Sequence, residues 1–195
     1  MLPLVAYLFF ASGVNNFAKL PVLKENVLSI SDYSKVDLNK KISILFFLGS
    51  NIEDRQGDAL NMNQKIYKRF YDFEDFQFVV ICPLESEQLA DDLKNKLEMG
   101  TNTNMRKWNF VFLDPNIIEE VFNSLNTNTN LDQYSGSPYV YIVDKKRSLR
   151  GRNDDDGIKF GYDSRSVADI NNFMVDDVKV ILAEYRLALK KKWNN

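Results

Sequence analysis

The chain alternates short, nearly unbroken apolar runs with longer stretches in which apolar residues recur every three or four positions. Ile42 to Leu48 (ISILFFL) and Phe76 to Cys82 (FQFVVIC) have strand length. Their near-continuous hydrophobicity predicts strands buried on both faces. Pro138 to Val143 (PYVYIV) predicts a third main strand, and Phe110 to Leu113 a shorter one. Turn chemistry brackets them: Gly49-Ser50-Asn51 stops the first run and Pro83 breaks the second. Between the runs the period changes. Ala59, Met62, Ile66, Phe70 and Phe73 share one face of a helix that Asp58 is placed to cap. Ser86 to Met99 carries the row Leu89, Leu93, Leu97, and Gly100 suits its end. Asp114-Pro115 opens a third helix, with Ile117, Ile118, Val121, Phe122 and Leu125 on its buried side.

Asn126 to Ser137 is polar and rich in Asn and Thr, the composition of a mobile loop. Arg147 to Arg152 and Ile158 to Tyr162 are expected to pair as a hairpin arm closed by Asp156-Gly157. Ser166 to about Lys190 predicts a terminal helix of roughly 35 Å. Its stripe runs through Val167, Ile170, Met174, Val178, Ile181, Leu182, Tyr185 and Leu189. The order β-α-β-α, a short strand and helix, then β-β-α predicts an α/β domain: a parallel sheet flanked by helices, with an antiparallel edge from the hairpin. Residues 41–195 form this domain and residues 19–40 an extended lead-in with short β pieces.

Residues 1–18 carry no charged side chain, and Leu4 to Ala11 is almost wholly apolar. A spanning helix needs about 20 apolar residues, and a signal peptide has a basic start. The segment therefore reads as the last half of a membrane anchor that starts upstream, with Asn15, Asn16 and Lys19 at its exit into water; a buried N-terminal helix is the other reading. An anchor would place the domain on the extracytoplasmic side. A content of 13% aromatic and 45% hydrophobic residues suffices for one sizeable core. Twenty-five basic residues against 27 acidic leave no global basic field for nucleic acid.

Chemistry is bounded tightly. Cys82 is the sole cysteine and histidine is absent. No intrachain dithiol chemistry, no His/Cys zinc site and no triad with a histidine base can be built. Cys82 ends a strand, where α/β sheets often place sites, so a lone reactive thiol competes with an inert buried one. Asp154-Asp155-Asp156-Gly157 lacks the alternating ligand spacing of a calcium loop and reads as a hairpin turn. Lys145, Lys146, Arg147, Arg150 and Arg152, with Lys190 to Lys192, are either lipid-facing or simply edge and helix-end cations; the latter is the simpler reading. Asp54 beside Glu53 is the sole hint of carboxylate catalysis.

The element order, ISILFFLGSN leading into a helix, FVFLDP with its helix, Ser137-Pro138 before YVYIVD, and a charged hairpin before the last helix together resemble the thioredoxin-like superfamily, in its Sco/SenC and peroxiredoxin branch. The resemblance spans about Ile42 to Lys190. It implies a central mixed sheet, a redox loop after the first main strand, and a proline loop (cis in thioredoxins) facing it. The departures matter as much. The loop Gly49, Ser50, Asn51, Ile52, Glu53, Asp54, Arg55 holds no thiol, and Tyr134 to Ser137 has no histidine where Sco-like proteins carry one nearby. Copper(I) prefers soft ligands that neither segment offers, which leaves Cys82 and methionines such as Met62. The implied module binds no cofactor and no metal. It is expected to hold a protein or peptide partner in a groove of Gly49, Ser50, Asn51, Glu53, Asp54, Arg55, Ser137 and Pro138. A Sco-type copper-handling or thiol oxidoreductase role in respiratory-oxidase assembly is the alternative that the resemblance implies.

Overall fold

The computed structural model describes residues 19–193, with side chains through residue 188. The apolar stretch at 1–18 and the cations Lys190 to Lys192 lie outside the described side chains, and among the described residues no helix is long and apolar enough to cross a membrane.

The strands are β1 (Val22–Lys24), β2 (Ile42–Phe47), β3 (Phe76–Pro83), β4 (Trp108–Leu113), β5 (Tyr139–Val143), β6 (Leu149–Arg150), β7 (Arg152–Asp154), β8 (Gly157–Lys159) and β9 (Tyr162–Asp163). Helix α1 runs as Gln56–Met62, a π turn Asn63–Tyr67 and Lys68–Phe70; α2 is Glu87–Thr101; α3 is Pro115–Ser124. Helix α4 comprises Val167–Asp169, a π turn Ile170–Met174 and Val175–Trp193. The main sheet has the order β1-β6-β5-β2-β3-β4, with β9 also on β5. β2, β3 and β4 are mutually parallel, while β5 runs antiparallel to β2.

Alternation along the strands divides the core into two layers. Ile44, Phe46, Phe78, Val80 and Ile142 face α1, α2 and α4. Leu45, Phe47, Val79, Ile81, Tyr141 and Val143 face α3, together with Val27, Ile30 and Leu38 of the lead-in. Helices on both faces explain why β2 and β3 are buried at every position. The extra residue of the π turn in α1 lets Asn63, Ile66 and Tyr67 all point inward.

Several local expectations are corrected. β5, expected as a main strand of a parallel sheet, runs antiparallel to β2 and lies inside the sheet, because the connection from α3 returns to the far side of β2. The charged arm is not one hairpin. β6 and β9 join the main sheet, and only β7 and β8 pair with each other, across Asp155-Asp156. Asp58 does not cap α1, since a 3-10 turn Glu53–Arg55 leads in and Asp58 sits within the first helical turn. Helix α2 passes through Gly100 and ends at Asn102, whose φ of 49° gives the left-handed cap. Its buried row is Ala90, Leu93, Leu97, with Leu89 exposed; Phe73 and Val167 are exposed as well. The basic stretch does not merely edge a strand: Arg150 is 3% exposed, bonded to Asp144 and Glu184, and Arg152 holds Asp177.

Candidate functional site

Strand β2 carries the chain to Gly49 at the C-terminal end of the sheet, and β5 begins beside it. Three backbone bonds lock the loops at this end together. The Ser137 amide donates to the Phe47 carbonyl (2.8 Å), the Ser50 amide to the Tyr134 carbonyl (2.9 Å), and the Leu48 amide to the Ile81 carbonyl (3.0 Å). Gly49 has φ +74°, and a Cβ there would lie 2.6 Å from the Tyr134 carbonyl oxygen and 2.8 Å from the Gly136 nitrogen. Glycine is what allows the Tyr134–Gly136 strap to lie directly on the turn.

The strap is built by one side chain. Asp132 Oδ1 accepts from the amides of Tyr134 (2.9 Å) and Gly136 (2.8 Å), an Asx-type turn. Its Oδ2 accepts from Arg55 Nη2 at 2.6 Å, and Arg55 Nη1 lies 3.7 Å from Asp58. Arg55, with 14% of its side chain exposed, thus clasps α1 to the strap at the place where the resemblance puts redox chemistry. The segment expected as a mobile polar loop is a structured wall.

Between these parts opens a cleft of about 590 Å³, lined by Asn51, Asp54, Arg55, Asp58, Asp132, Gln133, Tyr134, Pro138 and Arg165. Of the residues singled out in the sequence, Asn51, Asp54, Arg55 and Pro138 line it. Gly49 and Ser137 are buried beneath it, Ser50 is half-buried, and exposed Glu53 does not line it. Glu53 and Asp54 are not a paired acid and base, since Asn51 Nδ2 donates to Asp54 (2.7 Å). The Ser137–Pro138 bond is trans, and no cis peptide occurs among the described residues. Asp58, Asp132, Gln133, Tyr134 and Arg165 line the cleft without any sequence pattern assigning them to it. Asp144 builds the same kind of turn as Asp132, accepting from the amides two and four residues on. The residue three past each aspartate, Ser135 and Arg147, has φ near +60°.

The main chain around the cleft is largely consumed. The Pro138 carbonyl accepts from the Ser164 amide and hydroxyl (2.9 and 2.7 Å), and the Gly136 carbonyl accepts from the Asp132 amide. Recognition here must run through side chains rather than through an added β-strand. Burial pushes the Asp58 carboxyl above its ordinary range. Burial acts the same way on Asp132 but is outweighed by the Gly136 amide and Arg55, so that carboxyl sits below its ordinary range. The signs oppose. Asp132 contributes stability that is full above its unfolded pKa of about 3.9 and lost as pH falls through its lower folded value. Asp58 disfavours the fold above its raised value and ceases to do so as it protonates. Asp132→Asn keeps the turn's acceptor but not the charge. Its urea midpoint should fall below wild type at neutral pH, and the gap should close in strong acid.

Cys82 directly follows Ile81, whose carbonyl takes the Leu48 amide, but its side chain does not line the cleft. It is fully buried on the α1–α2 side of β3, and burial drives its thiol well above the ordinary range. Native protein should therefore resist a maleimide or aryl disulfide, with labelling appearing only as urea unfolds the chain. Rapid native labelling would show an open thiol. Among the described residues no group of three or more His, Cys, Asp or Glu side chains is arranged to hold a metal ion.

Layers, strand order and the two facing loops define a thioredoxin-like α/β fold. Neither protein-family models nor curated proteins match the chain. Solved structures do. BsSco, a member of the Sco family of cytochrome c oxidase assembly proteins, aligns at 15% identity and a TM-score of 0.53, covering 82% of this chain and 97% of its own. A putative protein disulfide isomerase from Bacteroides thetaiotaomicron aligns at 11% identity and 0.49, covering 85% and 95%. A SCO1/SenC family lipoprotein from Bacillus anthracis aligns at 12% and 0.48, covering 86% and 96%. Sco/SenC proteins and thioredoxin-like oxidoreductases are thus among the structural neighbours, and the likeness is one of fold.

Proposed function

We infer that this chain is a non-catalytic Sco-like module that binds a segment of a protein partner in the cleft between the Asn51–Arg55 turn and the Asp132–Pro138 wall. The observation that carries the reading is a cleft on a thioredoxin-like scaffold lined mainly by polar side chains, with no thiol or imidazole in its lining. Asp54 and Arg165, the latter already held by both oxygens of Asp163, stand about an amphipathic wall of Tyr134 and Pro138, which suits a short segment of mixed polarity. The apolar run at 1–18 would tether the domain to a membrane on its extracytoplasmic side.

The test is photo-crosslinked capture from membranes with the full chain. Asp54→Ala, Gln133→Ala and Arg165→Ala are combined in one variant, since all three side chains are exposed and the fold should tolerate them. Loss of captured partners at an unchanged melting temperature supports the reading. Retention of every partner sinks it.

A copper-handling role is the alternative that the fold brings with it, because the neighbour BsSco belongs to a family of cytochrome c oxidase assembly proteins. The donors do not fit that metal. Among the described residues Cys82, Met62 and Met174 are sealed at 0% exposure and Met105 at 2%, while Met99 is 84% exposed. Copper(I) needs converging soft ligands. Titration against a competing chelator should find no stoichiometric site; a tight one would replace the binding-module reading.

A further inference from the structure

The two edges of the main sheet are unlike. At one, β1 is three residues long, irregular in register and bears Lys24. Short length, a bulge and a lysine are the ordinary defences of an exposed edge. At the other, β4 runs six residues, Trp-Asn-Phe-Val-Phe-Leu, in regular register with β3 and with neither charge nor proline. The Phe78 amide donates to the Lys107 carbonyl, which fixes the alternation: odd-numbered residues of β4 bond β3, and the N–H and C=O groups of Phe110 and Phe112 point outward. Among the described residues nothing hydrogen-bonds to them. The two rings, half-exposed, stack at 6.4 Å with planes 10° apart.

We propose that β4 pairs antiparallel with β4 of a second copy of this chain, about a two-fold axis at Phe110. That register brings Phe110 opposite Phe110, Phe112 opposite Trp108, and Arg106 opposite Asp114 at both ends. Arg106 and Asp114 are exposed and have no ion-pair partner among the described residues. The charges that flank an uncharged strand are thus complementary to themselves under the symmetry, which is why a second copy fits better than a foreign strand. The cleft at the end of β2 plays no part in this.

Sedimentation velocity of the full chain in detergent, with amide exchange followed across β4, tests the pairing. The wild type should dimerise, with the Phe110 and Phe112 amides slowing as concentration rises. Arg106→Asp puts like charges opposite each other twice and should weaken association about tenfold. Combining Arg106→Asp with Asp114→Arg should restore it. A monomer at all concentrations, a dimer whose β4 amides exchange freely, or association indifferent to Arg106→Asp and to the swap would overturn the proposal.

Discussion

Gly49→Ala is expected to lower stability by about 2–4 kcal/mol, from the left-handed backbone that alanine resists and from the contact its methyl makes. The methyl would meet main-chain atoms of Tyr134 and Gly136, all within 2.9 Å, rather than the flexible tip of a side chain. Relief requires the strap to lift, yet the strap is held on either side by Ser50 to Tyr134 and Ser137 to Phe47. The penalty therefore falls on the cleft. In urea the midpoint should drop with little change in slope, because the same surface is exposed on unfolding. The Ser50 amide should lose its protection first, and capture of the partner should weaken along with it.

Gly57→Ala supplies the opposite sign. Gly57 lies in the first turn of α1, is exposed, and has open space where a Cβ would stand, with no neighbouring atom within 4 Å. Alanine there should stabilise by about 0.5–1 kcal/mol through helix propensity. Equal effects at the two glycines would mean that the turn at Gly49 is not under the constraint described.

What could be read in advance follows from where the energetics are local. β2, β3 and β5 announce themselves because burial on both faces makes their runs almost wholly apolar, with Ser43 and Gln77 the polar interruptions of β2 and β3, bonded to each other. Helix faces are less secure: Phe73 follows the last turn of its helix and Val167 opens its own, while Leu89 sits off the face that Ala90, Leu93 and Leu97 bury. The direction of β5 is invisible to periodicity, which is the same for parallel and antiparallel strands. For the cleft, Asn51, Asp54, Arg55 and Pro138 are legible because they adjoin strand ends. Arg165 is not: it reaches the cleft only because Ser164 bonds back to Pro138, 26 residues earlier. The clasp between Arg55 and Asp132 spans 77 residues and leaves no mark in either segment alone.

Arg150 is the other residue whose role distance conceals, and its replacement should be the costlier. Arg150 Nη1 donates to Asp144 Oδ2 at 2.9 Å, Nη2 to Glu184 Oε2 at 2.6 Å, and Nε to the Leu20 carbonyl at 2.8 Å. Asp144 is 2% exposed, so Arg150→Ala leaves a buried carboxylate without the guanidinium that neutralises it, held by the backbone amides of Lys146 and Ser148. Breaking a buried pair from one side costs about 3–5 kcal/mol, whereas the intact pair is worth much less against a well-packed apolar replacement. Arg150→Lys should recover only part of the loss, since one ammonium cannot span three acceptors held in a fork. Glu184→Gln should cost less again, because Glu184 is 23% exposed and water can replace it. The Arg150→Ala variant should also free the lead-in, whose backbone Arg150 grips at Leu20 and pairs at Val22. Trypsin should then cut native Arg150→Ala at Lys24 much faster than wild type. If the variant unfolds at the wild-type urea midpoint and resists that cleavage, the guanidinium is not what ties the first strand to the sheet.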